Sequence, residues 1–86
     1  MTYLLTYDLT QPGQNYSGLI TALTGAGAVR ILLSTWLVQT NESHAQVRDR
    51  YLRYIDTNDR LFVTDVHLWA GWNLMNLDAA KRILPP

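Results

Sequence analysis

The chain has 86 residues, nearly half of them apolar, no cysteine, and a formal net charge of zero. That length suits one domain around a single core. The missing cysteines exclude disulfide staples and thiolate metal sites, and the neutral balance argues against a strong nonspecific nucleic-acid binder, whose affinity comes from lysine and arginine neutralising phosphates. No apolar run approaches the roughly 20 residues that span a bilayer. Met1-Thr2 leads directly into an apolar segment without the basic start of a signal peptide, so the chain reads as soluble and cytoplasmic.

Residues 3–9, Tyr-Leu-Leu-Thr-Tyr-Asp-Leu, form a short aromatic-rich apolar run closed by Pro12-Gly13, the pattern of a buried strand. Asp8 stands at its end. A strand that carries a carboxylate to its C-terminal edge can place a metal ligand or a general base, or the aspartate can simply accept backbone N–H bonds in the turn. The sequence predicts a first helix from a cap at Asn15, with Tyr16, Leu19, Ile20 and Leu23 on one face and Gly25 and Gly27 as the stop. Gly18 lowers helix propensity and so marks close packing.

Val29–Leu33 and Trp36–Thr40 read as strands, either a hairpin around Ser34-Thr35 or one long kinked strand. Ser43 with Gln46 matches a capping box and opens a second helix whose buried stripe is Val47, Tyr51, Tyr54 and Ile55. Arg48, Arg50 and Arg53, with Arg60 beyond them, interleave with Asp49, Asp56 and Asp59 and read as a solvated mixed-charge surface. Asp56–Asp59 is a turn cluster, and Arg60–Val66 a fourth strand. His44 and His67 lack ligand spacing for zinc. Residues 77–84 form a weak helical tail closed by Pro85-Pro86.

The order strand, helix, strand, strand, helix, strand predicts an α+β fold of the ferredoxin-like type. Residues 1–66 would form a four-stranded antiparallel sheet with both helices on one face, and residues 67–86 a C-terminal arm. The other face of the sheet is then bare, and a second copy about a twofold axis is the simplest cover. Trp69-Ala70-Gly71-Trp72 suits an arm that packs on such a partner.

Three segments resemble a known family. The opening strand ending in Asp8 looks like that of the CRISPR-associated protein 2 family, and Arg30, Ser34 and Trp36 are similar to its arginine–serine–aromatic strand pair. Pro12-Gly13-Gln14-Asn15-Tyr16 and Ser34-Thr35-Trp36-Leu37-Val38 resemble its SinR-like branch, related to virulence-associated protein D, over roughly residues 3–66. The resemblance implies a homodimer in which the strand-end aspartates approach one another at the twofold axis. On that reading Asp8 is the catalytic and metal-binding residue, holding Mg²⁺ or Mn²⁺, and Ser34 and Arg30 contact the phosphate of RNA or DNA, giving a metal-dependent endonuclease. The alternative is a non-catalytic homodimeric adaptor or interaction module, with nucleic acid among its candidate partners, that uses the same cleft or the tryptophan-rich arm. For Ser34, a bond within the hairpin competes with the phosphate role.

Overall fold

The computed structural model describes residues 1–10 and 16–86. The elements run β1 (Thr2–Asp8), α1 (Ser17–Gly25), β2 (Val29–Leu32), β3 (Thr35–Gln39), α2 (His44–Leu52), β4 (Arg60–Asp65) and α3 (Leu77–Ile83). The four strands form one antiparallel sheet in the order β2-β3-β1-β4. β2 and β3 are a hairpin turned at Leu33-Ser34, which decides between the two arrangements that their sequences allow.

Alternation along the strands gives the sheet two different faces. Tyr3, Leu5 and Tyr7 of β1 and Trp36 and Val38 of β3 point to one side, where Leu19 and Leu23 of α1 and Val47 and Tyr51 of α2 close over them. Inside this core Trp36 Nε1 donates to the Tyr7 hydroxyl at 3.2 Å, so the buried indole keeps a partner. The opposite face is not bare. Ile31 and Leu37 pack there with Ala80 of α3, and Ile83 and Leu84 lie beside them. Two asparagines with positive φ, Asn73 and Asn76, turn the connection back toward the sheet, a conformation asparagine tolerates better than most residues. The hydroxyl of Thr2 then donates to the Ile83 carbonyl. The arm that the sequence suggested for a partner thus has its helix seated on its own sheet, over β2 and β3.

Local signals behave as their chemistry requires, with shorter spans. The expected cap at Asn15 lies outside the described residues; α1 begins at Ser17, and its stripe narrows to Leu19 and Leu23 while Ile20 is exposed. Gly27, at φ +76°, ends the helix: its N–H reaches Thr24 and the Ala28 N–H reaches Leu23, a Schellman arrangement. A Cβ on Gly18 would meet the Tyr54 ring at 3.4 Å, the close approach its presence suggested. The capping box is formed in both directions between Ser43 and Gln46. α2 stops at Leu52, so Tyr54 and Ile55 belong to the following turn rather than to the helix.

Candidate functional site

One end of the sheet gathers the end of β1, the β2–β3 turn and the start of β4. Tyr7 N–H and Thr6 Oγ1 both donate to the Ser34 carbonyl at 3.1 Å, and Asp8 pairs with Arg60 across the ladder. Asp8, Ser34 and Arg60 therefore share this lip. A shallow depression of about 370 Å³ opens here, lined by Thr6, Asp8, Arg60 and Phe62 among others.

The Asp8 carboxylate is 76% exposed and lies 4.0 Å from an equally exposed Arg60 guanidinium. An exposed pair of this kind contributes about 0–1 kcal/mol, so the fold does not depend on Asp8. Arg60 stands by Asp8, while Arg48 pairs with Asp49 at 2.9 Å and Arg50 with Glu42 at 2.6 Å, in keeping with the mixed-charge surface that the sequence suggested. Ser34 engages the sheet through its carbonyl, as a turn residue. Arg30 is committed to the hairpin: Nε donates to the Leu33 carbonyl at 2.9 Å, and the guanidinium lies 5.3 Å over the Trp36 ring. Its cation faces the turn that it stabilises.

A hard divalent cation takes about six or more oxygen ligands. Asp8 supplies one carboxylate with a cation beside it, and among the described residues no three His, Asp or Glu side chains gather where they could hold a metal ion. Within one chain, the described residues thus bring Asp8 alone, beside Arg60, to this lip as a carboxylate ligand.

Compared with models of known protein families, the chain matches none.

Sequence reasoning missed the carboxylate that this corner is built on. Asp59, immediately before β4, accepts from Thr10 N–H at 2.8 Å, Asp56 N–H at 2.8 Å, the Tyr16 hydroxyl at 3.0 Å and the Thr10 hydroxyl at 3.1 Å. It ties the chain leaving β1 and the start of α1 to the turn before β4. Desolvation pushes the Asp59 carboxyl up, but the Thr10 and Asp56 amides and the Tyr16 and Thr10 hydroxyls outweigh it and hold it below its ordinary range. Tyr16 is pushed up to about 12 by desolvation and by its bond to Asp59. The turn cluster at 56–59 was visible, but its partners lie 43 to 49 residues away, and nothing local signals them.

His67 and Asp65 meet at 3.5 Å at the far end of β4, away from the lip. Trp36 belongs to the core, whereas Trp72 and Leu68 are 91% and 94% exposed and Trp69 donates Nε1 to the Pro85 carbonyl at 2.9 Å.

Proposed function

We propose that this protein is a homodimeric interaction module of ferredoxin-like fold, allied to the SinR-like branch of the CRISPR-associated protein 2 superfamily. In this reading the Asp8 end of its sheet holds a partner, with RNA or DNA the first candidate, without cleaving it. The observation that carries the reading is the company of Asp8. Its charged neighbour is Arg60 rather than a second carboxylate, and Phe62, 61% exposed, stands next to Arg60's side of the sheet. Opposite charges beside an exposed aromatic ring make a surface that can bind a flat or anionic group by contact. They do not concentrate the oxygen ligands that a hard metal needs.

A second reading keeps the metal-dependent endonuclease. It is favoured by the exposure of the Asp8 carboxylate at the strand end, which leaves it free to be doubled by the Asp8 of a second copy. Ser34, whose hairpin contacts are made by its carbonyl, would then offer its hydroxyl to the phosphate, and Arg30 would serve it by leaving the Leu33 carbonyl.

One assay separates the two. Purified wild type and Asp8→Ala are incubated with single- and double-stranded RNA and DNA in Mg²⁺ or Mn²⁺, and cleavage and oligonucleotide binding are both read. The expected outcome is no cleavage by either protein. Cleavage by the wild type that disappears in Asp8→Ala would replace the module reading with the endonuclease. Because the Asp8–Arg60 pair contributes so little to the fold, loss of activity in that variant would report on the site itself.

A further inference from the structure

The sheet ends differently at its two sides. At β2 the register shifts between Arg30 and Leu32. The segment after β4 also closes on that edge, since Met75 N–H donates to the Ile31 carbonyl and Asn76 Nδ2 to the Arg30 carbonyl, each at 2.9 Å. β4 is the other edge. It pairs with β1 alone, from Tyr3 opposite Asp65 to Asp8 opposite Arg60, with no shift, and it contains no proline or lysine. Bulges, prolines, lysines and covering segments are how proteins usually blunt an edge strand. β2 has two of these devices, and among the described residues β4 has none of them.

The hydrogen-bond phase shows which groups β4 leaves outward. Tyr7 N–H donates to Ser34, on the β3 side, at 3.1 Å, and Val66 N–H donates to Thr2 at 3.0 Å. The even-numbered residues of β4 are therefore bonded to β1, opposite Leu4, Thr6 and Asp8. Leu61, Val63 and Asp65 direct their N–H and C=O groups away from β1. These three positions are symmetric about Val63.

We infer that β4 is a self-pairing edge: it lies antiparallel to β4 of a second copy, Val63 opposite Val63 and Leu61 opposite Asp65, joining two sheets into one. This rests on the homodimer proposed above and gives it a seam at β4 in place of the aspartate-to-aspartate axis that the resemblance implies. Because Asp8 lies opposite Arg60, the two Asp8 residues then stand at opposite ends of the joined sheet, which goes with the module reading and against the endonuclease. In this register each outward N–H and C=O of the three residues finds a partner. A slip of one residue would set outward groups against groups already bonded to β1. Centring the pair on Phe62 instead would leave the Asp65 groups unmatched and bring Asp59 opposite Asp65, like charges across a ladder. Centring it on Val63 brings Asp59 opposite His67. Phe62 then stands beside Thr64 of the second copy and diagonal to the other Phe62, within aromatic reach, which accounts for a large apolar side chain left 61% exposed.

The test is amide hydrogen exchange on the full chain at low and high protein concentration, with the mass measured by light scattering at each. Phe62 and Thr64 amides, bonded to β1, should be protected throughout. The Leu61, Val63 and Asp65 amides should slow by about tenfold or more only where the protein is dimeric. A dimer whose Leu61 and Val63 amides exchange as fast as in the monomer overturns this seam and leaves the homodimer standing. A monomer at every concentration overturns both. Val63→Pro removes an outward N–H and no bond to β1; it should be monomeric with an unchanged circular dichroism spectrum, and a folded dimeric Val63→Pro would also overturn the seam.

Discussion

Asp8 and Asp59 flank the same corner of the molecule, one at the end of β1 and one just before β4, and they differ in what surrounds them. Asp8 faces water and a loose guanidinium. Asp59 accepts two backbone amides and two hydroxyls. The Asp59 pKa is lowered in the folded chain, so its stabilisation is fully present above its ordinary pKa of 3.8 and is lost as the pH falls below that value. Tyr16 is raised from 10.0 to about 12, so its share is present below pH 10 and is lost as the pH rises toward 12. Thermal midpoints followed by circular dichroism across pH should fall at both ends. Asp59→Asn should lower the midpoint at neutral pH and flatten both limbs, while Asp8→Ala should leave the curve nearly unchanged.

At the scale of elements, the legible parts were those whose signal is local. Ser43 and Gln46 are three residues apart, and their reciprocal bonds follow from side-chain reach alone. Ser43→Ala should cost about 1 kcal/mol by urea denaturation. The apolar run at residues 3–9 marked β1 as a buried strand, and the structure adds that Tyr3, Leu5 and Tyr7 are the residues α1 and α2 cover. The length of α2 was less legible: Tyr54 and Ile55 continue a helical spacing, and Ile55 packs on the core, but the backbone leaves the helix at Leu52. Periodicity records which residues meet the core, and a turn can deliver them as well as a helix can. The roles of Arg30 and Ser34 were likewise open, because an arginine two strands from an aspartate looks the same in sequence whether it faces a ligand or its own hairpin carbonyl.

For the molecule as a whole, the arm decides how much of the sheet is left to partners. α3 covers Ile31 and Leu37, so the exposed part of that face is the β1–β4 half with Asp8, Arg60 and Phe62. Among the described residues no helix is long and apolar enough to cross a membrane. Ala80, on the side of α3 that packs on Ile31 and Leu37, is fully buried. Enlarging it to leucine should cost about 1–3 kcal/mol and release the arm, read as faster exchange of the Met75 amide that donates to Ile31.

By itself the sequence determined the order of the elements, the buried character of β1, the capping box of α2 and the position of Asp8 at a strand end. Each follows from residue type and spacing within a few positions along the chain. Only the tertiary structure decided that α3 turns back onto its own sheet, that Arg60 rather than another carboxylate stands beside Asp8, that Asp59 binds Thr10 and Tyr16, and that β4 is an edge strand of the sheet. These contacts join residues dozens of positions apart. Their partners are selected by how the sheet is stacked and phased, and spacing along the chain does not encode that.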